Sequence, residues 1–506
     1  MPLSSRQSTL LLFSVFVIAI CGLIYELIIG TLSSYLFGNS VVYFSLTIGL
    51  FMSAMGVGSY ASRWITRSLL GWFILLEIAI GLAGGVSAAL LYAVFATTPY
   101  YHIAMVLLTF LVGGMVGMEI PILTRLSSSS EESIKDALAN VLAFDYLGAL
   151  IASVLFPLLL LPELGVLKTA FVTGLLNMAV VFLNLHTFRD RLRQWRQLLG
   201  VSVTVTLLLL AGTAWSFQLT SFFEMQLYED AIIYTQQTRY QRIVMTRWGE
   251  DVRLFLDGNL QFSTRDEYRY HEPLVHPALS LTRSRESILI LGGGDGLAVR
   301  EILKYEDVQP IELVDIDPAM TELANSHPVI LAANEGALMD PRVELVHQDA
   351  FKYLEEGAEQ FGVIIIDLPD PNNESLGKLY TREFYKMVRR HLAGGGVVAV
   401  QATSPYFARE TFWCIVHTAA DAGFQTWPYH TYIPSFGDWG FFLATAHPIE
   451  PEAFTVQVPM RYLTPEVLAG SFIFDSDTSE VETKINTLDS QVVLRYYEKG
   501  WKQWGD

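Results

Sequence analysis

Two acidic turns, each closing an apolar run, are the residues here best suited to chemistry: Leu291-Gly292-Gly293-Gly294-Asp295-Gly296 and Ile366-Asp367-Leu368-Pro369-Asp370-Pro371. A glycine turn after a strand lets the backbone approach a nucleotide-like ligand closely. An Asp inside that turn, with a second carboxylate pair nearby, asks for a positively charged ligand, and an amine fits best. Asp315 ends the next apolar run, where a carboxylate bonds ribose hydroxyls in nucleotide-binding folds. Asp349 and Ala350 end a third run, in the position that reads adenine in folds of the adenosylmethionine type. An amine is mostly protonated near neutral pH, since its pKa resembles the ~10.4 of Lys. It must lose a proton before it attacks carbon, so one of Asp367 and Asp370 can accept that proton while another carboxylate anchors a distal ammonium. An isolated Asp at a strand end usually caps the next helix, but four such ends in succession favour a site.

The elements that would position these residues follow from periodicity. Strands are expected at 287–291, 310–315, 343–347, 361–366, 396–401, 425–433 and 440–446. Helices are expected at 297–304, 318–325, 350–356, 381–391 and 408–421. Such alternation builds a doubly wound, Rossmann-like α/β sheet of the methyltransferase type, with ligands at the carboxyl ends of the strands. From Phe222 to about Pro277 the pattern is short β-type runs, and Asp257-Gly258 marks a hairpin. A small antiparallel sheet is therefore expected before the α/β domain.

Composition adds a third part. The chain has 506 residues, 52% of them hydrophobic and 17% charged, which is too apolar for a wholly soluble protein. Apolar runs at about 9–30, 41–61, 70–96, 101–123, 137–161, 164–186 and 198–217 each approach or exceed the roughly 20 residues that span a bilayer. The reading is 1–217 as an α-helical membrane domain of about seven transmembrane helices, 218–280 as the β-hairpin subdomain and 281–506 as the Rossmann-like domain. No small-residue cleavage site follows the first run, so it is expected to be retained. Arg6, Arg63 with Arg67, Arg125 with Lys135, and Arg189, Arg191, Arg193 and Arg196 all fall on one side of the expected helices. The positive-inside rule makes that side the cytoplasm, in a multi-pass cell-membrane protein. Seven crossings would leave the remainder on the other side, unless one segment is not a full span. Glu26, Glu77, Glu119 and Asp145 lie within these runs, where ionisable groups either line a pathway or pair between helices.

Net charge is −18, and residues 1–213 hold ten basic and nine acidic residues, so the acidity lies in the second half. That balance disfavours nucleic acid and suits cationic ligands. Cys21 and Cys414 imply neither a disulfide framework nor a cysteine metal site. No metal is expected, and a homo-oligomer is left open.

Asp295 separates two adenosyl ligands. It would repel the methionine carboxylate of intact adenosylmethionine but attract the lone ammonium of the decarboxylated form.

The motif series closely resembles the spermidine synthase family of aminopropyltransferases: Tyr240-Gln241, Leu256-Asp257-Gly258, Arg265-Asp266-Glu267 with Tyr270-His271-Glu272, Gly292 to Gly296, Asp315-Ile316-Asp317, Asp349-Ala350, Asp367 to Pro371 and Phe384-Tyr385. The resemblance covers about residues 222–446. It implies transfer of an aminopropyl group from decarboxylated S-adenosylmethionine, a co-substrate, to an amine such as putrescine. It implies that Gln241, Gly292, Asp315, Asp349 and Ala350 hold the adenosyl part and that Asp295 holds the ammonium of the donor. Tyr270, His271 and Asp370 would line the amine site, with Asp367 as proton acceptor. The chain departs from the family pattern in Asp315 for Glu, in Asn372-Asn373-Glu374 after Pro371, and in Phe436 where a Tyr is common. The apolar portion resembles the membrane-attached subgroup through Tyr25-Glu26-Leu27, Gly117 to Pro121 and Phe144-Asp145-Tyr146. The competing readings are a polyamine sensor or transporter and a methyltransferase. His276 and the segment from Leu494 to Trp501 are expected to be structural, the latter as a helix.

Overall fold

The computed structural model describes residues 5–37, 40–127, 131–228, 230–450, 453–455 and 457–504. The chain separates into two compact units, Met1–Glu229 and Asp230–Asp506.

The first unit is helical: α1 (Ser5–Phe37), α2 (Ser40–Ala61), α3 (Leu69–Gly85), α4 (Ser87–Thr97), α5 (Tyr101–Ser127), α6 (Glu131–Leu155), α7 (Leu161–Thr187), α8 (Trp195–Ala214) and α9 (Ser216–Leu227). α1 is the central rod, with two thirds of its most apolar window buried, whereas only 22% and 17% of the corresponding windows in α2 and α8 are buried. Five helical stretches among the described residues are long and apolar enough to cross a membrane, and the pair α3 and α4, bent by 42°, makes a sixth. The difference from seven lies in the runs at 137–161 and 164–186, which join into one helical stretch, Ile134–Thr187, of 54 residues. At about 1.5 Å per residue a straight rod of that length would extend roughly 80 Å, far beyond a hydrocarbon core of about 30 Å. The stretch breaks at Gly165, whose φ of 70° is open to glycine. It doubles back there. Gly148 of α6 lies against Phe16 and Ala19 of α1. In α7, Thr173 accepts from Cys21 and Asn184 donates to Ser14 at 2.8 Å, so both halves pass the same level of α1. Glu77 and Glu119 are buried with their carboxyl groups facing each other, and Asn177 donates to the Glu77 backbone carbonyl at 2.7 Å.

The second unit begins with an antiparallel sheet, β1 (Ala231–Gln237), β2 (Arg242–Trp248), β3 (Asp251–Leu256) and β4 (Asn259–Ser263), in the order β1-β2-β3-β4. Asp257 and Gly258 close the β3–β4 hairpin, both with positive φ, as a two-residue turn requires. The expected β region from Phe222 to Pro277 is too wide. Its start falls in α9, and its end is the helix α10 (Tyr268–Leu281). The buried apolar residues of α10, Tyr270, Leu274, Val275, Ala278 and Leu279, recur at helical rather than strand spacing.

Alternating strands and helices follow: β5 (Ile288–Gly292), α11 (Leu297–Leu303), β6 (Ile311–Asp315), α12 (Pro318–Ser326), α13 (Pro328–Ala333), β7 (Val343–His347), α14 (Ala350–Glu356), β8 (Phe361–Asp367), α15 (Glu374–Gly377), α16 (Arg382–His391), β9 (Leu392–Gln401), α17 (Arg409–Asp421), β10 (Gln425–Ile433) and β11 (Gly437–Thr445). Two further helices, α18 (Pro465–Ser471) and α19 (Val492–Trp501), complete the unit. The seven strands form one sheet in the order β10-β11-β9-β8-β5-β6-β7. Five neighbours run parallel and β10–β11 is an antiparallel hairpin at one edge. β5 is buried throughout and β8 up to Asp367, as parallel strands covered on both faces must be. Gly292 pairs with Asp367, and Leu291 with Val314 beside Asp315, so the acidic strand ends lie along one edge.

Glu272 anchors the segment after β11. It is fully buried and accepts the backbone N–H groups of Arg461, Tyr462 and Leu463 at 2.6, 2.8 and 2.8 Å. Glu272→Gln, which removes the charge and turns a donor toward these amides, is expected to destabilise the second unit by about 2–4 kcal/mol. Thermal unfolding followed by circular dichroism checks this, and an unchanged midpoint would contradict it.

Candidate active site

The glycine turn after β5 is built to bring carboxylates onto backbone. Gly292, Gly293 and Gly296 have φ of 85°, 68° and 81°, values that favour glycine. A Cβ at Gly292 would come within 2.1 Å of the Asp367 carbonyl oxygen, and one at Gly294 within 2.5 Å of Asp315 Oδ2. Side chains at these positions would displace the two strand-end acids. Asp315 Oδ2 accepts from Gly294 N at 3.1 Å and its Oδ1 from Asp317 N at 2.8 Å.

Asp295 is buried, and its Oδ1 accepts from Leu297 N at 2.8 Å. Burial pushes its pKa up to about 6, opposed by His271 and reinforced by the charges of Asp367 and Asp315. Asp315 is likewise held up at about 6 by burial, against the hydrogen bond from Asp317 N. Asp367 Oδ1 accepts from the Tyr270 hydroxyl at 2.6 Å, and its Oδ2 faces Gly293. Burial raises the Asp367 pKa, while His271 and the Tyr270 hydroxyl pull it down. Three carboxylates and one imidazole thus share a single end of the sheet.

His271 sits inside α10 and is fully buried, so the expectation that it bears on the site stands beside a structural bond: its Nδ1 lies 2.8 Å from the Glu267 carbonyl oxygen and 3.3 Å from Glu267 Oε2. Burial opposes its protonation, but Glu267 and the charges of Asp295 and Asp367 outweigh that and raise its pKa. Glu267 in turn takes a bidentate pair from Arg300, at 3.0 and 2.8 Å. Asp266, in the turn that leads into α10, accepts from Ser435 N and Oγ at 2.7 and 2.8 Å, tying the start of the helix to the β10–β11 turn. Phe436 in that turn stacks on Tyr270, with ring centroids 5.9 Å apart.

Gln241 and Asp349 are held by protein partners. Gln241 Nε2 donates to Asp317 Oδ2 at 3.0 Å, and Thr238 Oγ1 donates to the same oxygen at 2.8 Å. Asp317 Oδ1 caps α12. Asp349 caps α14 through Phe351 N at 2.8 Å and pairs with Lys378, while Ala350 is buried as the first residue of that helix. Thr238 and Lys378 are absent from the sequence-based site because only the fold brings them to it. His276 is structural, as expected, lying between Glu301 and Tyr305 at 2.8 and 3.0 Å.

Asp370 lies on the loop that follows β8. Thr403 Oγ1 donates to its Oδ2 at 2.6 Å and Gln401 Nε2 to its Oδ1 at 3.4 Å, while Tyr380 donates to the carbonyls of Leu368 and Pro369. Burial lifts Asp370 to about 6, against the hydrogen bonds from Thr403 and Gln401. The segment from Leu494 to Trp501 falls in the helix α19, as expected. Thr403 adopts φ of 63°, a left-handed conformation that is an outlier for a β-branched residue and costs of order 1–3 kcal/mol.

The profile of the Spermine/spermidine synthase domain matches residues 267–454. A polyamine aminopropyltransferase of Leptospira interrogans is 45% identical, over 98% of this chain and 99% of that protein. Polyamine aminopropyltransferase 2 of Ralstonia nicotianae is 46% identical over 98% and 99%, and a polyamine aminopropyltransferase of Mycobacterium tuberculosis is 40% identical over 98% and 97%. A solved spermidine synthase in complex with the transition state analogue AdoDATO is 29% identical, with a TM-score of 0.46, over 48% of this chain and 86% of that one.

The raised carboxylates set a proton signature for ligand binding. A cationic ligand that pairs with Asp295 favours its ionised form, so binding at pH 6 releases protons and binding at pH 8 releases almost none. Calorimetry in buffers of different ionisation enthalpy reads this directly. Heats that do not depend on buffer at pH 6 would show that the ligand does not meet the titrating acids.

Proposed function

The chain belongs to the polyamine aminopropyltransferase family, and on that premise we propose that its second unit transfers an aminopropyl group from decarboxylated S-adenosylmethionine to a diamine such as putrescine, giving spermidine and methylthioadenosine. The observation that carries this reading is Asp295, a buried carboxylate on the glycine turn beside Asp315 and Asp367. An intact methionine carboxylate would meet three like charges there, whereas an ammonium is attracted by all of them.

The roles follow from position. Gln241, Asp315, Asp349 and Ala350 face the adenosyl side, with Gly292 allowing close approach, and Asp295 holds the donor ammonium. Lys378 must yield Asp349 if adenine is to bond that carboxylate. Tyr270, His271 and Asp370 bound the acceptor side. The acceptor nitrogen forms a bond to the carbon next to sulfonium while the C–S bond breaks, and its electron pair leaves on the sulfur of methylthioadenosine. The proton lost by the amine goes to Asp367. Tyr270 already donates to Asp367 Oδ1, which leaves Oδ2 to accept that proton. Burial makes this carboxylate a stronger base than an exposed one.

Product analysis by mass spectrometry tests the reading. The protein is expected to form methylthioadenosine and an amine longer by one aminopropyl unit from the decarboxylated donor alone, and Asp367→Asn is expected to lower turnover by about 10²–10⁴. Methylated amines from intact donor would replace this reading by methyl transfer. Tight polyamine binding without turnover would favour the sensor or transporter, a second reading that draws on the buried Glu77–Glu119 pair.

The first unit is proposed to cross the cell membrane. Support comes from its apolar helices and from exposed residues such as Leu150, Leu158 and Leu207, which lipid would cover. Arg125 donates to the carbonyls of Ile65 and Ser62 at 2.9 Å each, so the basic ends of α2 and α5 lie together. With the Gly165 reversal counted as two crossings, the positive-inside rule puts the second unit on the non-cytoplasmic side. Cys21 and Cys414 are both buried, so a single exposed Lys352→Cys should react with an impermeant maleimide from outside intact cells. Labelling only in inverted vesicles would reverse the orientation.

A further inference from the structure

We infer that Lys378 competes with the adenine of the donor for Asp349, so that this lysine, and not the carboxylate alone, sets how tightly the adenosyl part is held. The inference deepens the aminopropyl-transfer reading and rests on it. Lys378 Nζ lies 2.5 Å from Asp349 Oδ2, and Asp349 Oδ1 accepts from Phe351 N at 2.8 Å. Both carboxylate oxygens are thus engaged by the protein itself, one in capping α14 and one by a cation. Asp295, Asp315, Asp367 and Asp370 rest on amide and hydroxyl donors instead. The exocyclic amino group of adenine is a neutral donor, and to bond Oδ2 as Lys378 does it must take the place of an ammonium.

The backbone that carries Lys378 is pinned. Asn486, fully buried, donates through Nδ2 to the carbonyls of Gly377 and Tyr380 at 3.2 and 3.0 Å, and Thr381 Oγ1 donates to the Lys378 carbonyl at 2.7 Å. A Cβ at Gly377 would lie 3.3 Å from the Leu494 side chain of α19. Release of Asp349 therefore falls to the lysine side chain, which turns about its own bonds while its backbone stays. The side chains of Lys378 and Asp349 are 30% and 20% exposed, so the ammonium can pass into water and the pair is a weak one. The Phe351 ring, its centroid 5.8 Å from Nζ, adds a cation–π attraction that keeps the ammonium beside the carboxylate. A cation held this loosely lowers adenine affinity without closing the site.

Methylthioadenosine is the probe, because it carries adenine with no net charge and reports the adenine end alone. Calorimetry on the full-length protein is expected to show Lys378→Met binding it about twofold to fivefold tighter than wild type, the scale of a half-exposed ion pair. Lys378→Arg, which keeps a cation there, should bind as wild type does. Raising salt from about 0.05 M to about 0.5 M screens the pair and should tighten binding to wild type but not to Lys378→Met. Asp349→Asn removes the charge and keeps an acceptor for Phe351 N, and in that background Lys378→Met should change nothing. Equal or weaker binding by Lys378→Met, the same salt response in both proteins, or the same gain in the Asp349→Asn background would overturn the competition and leave the transfer reading standing. If Asp349→Asn does not fold, the salt series decides. Methylthioadenosine bound by neither wild type nor Lys378→Met would sink the transfer reading, and the competition with it.

Discussion

The structure of the second unit turns on one constraint: several carboxylates are withdrawn from water at one edge of a sheet without a full set of protein cations to meet them. Asp295, Asp315 and Asp370 are each driven up to about 6 by burial. Hydrogen bonds from Leu297 N, Asp317 N, Gly294 N, Thr403 and Gln401 make the burial tolerable but do not cancel the charge. Lys378, paired with Asp349, is a cation on this edge, and the other acids rest chiefly on the donors just named.

Competing cations are instead used up behind the site. Arg300 is engaged by Glu267 and Glu301, and Lys304 by Glu301. His276 closes the same network from α10. This arrangement fixes α10 against α11, and with it the Tyr270 hydroxyl that aims Asp367. Charge pairing therefore rigidifies the back of the pocket while its front stays electronegative.

How much of this was legible in sequence depends on how local each feature is. The α/β strands lie within a few residues of their expected places because glycine turns and buried aliphatic runs punctuate them, and Asp295, Asp315, Asp349, Asp367 and Asp370 were named from those punctuations. α10 was misread because Pro273 and Pro277 fall in a helix whose apolar face shows only at a spacing of three and four. The doubling-back within Ile134–Thr187 falls at the boundary between the apolar runs read at 137–161 and 164–186, and Gly165, with φ of 70°, marks it in the backbone. Thr238, Lys378 and Thr403 join the site only by tertiary contact.

The acidic edge also governs what happens after the bond is made. Each round of aminopropyl transfer converts the acceptor into a product with one more ammonium, so the field that draws the substrate in grips the product harder. Departure, rather than capture, becomes the step the protein must ease, and because these carboxylates are withdrawn from water, dissolved salt screens them far less than it would screen charges at the surface. A pocket shaped by buried negative charge thus shifts the burden of turnover from binding to release.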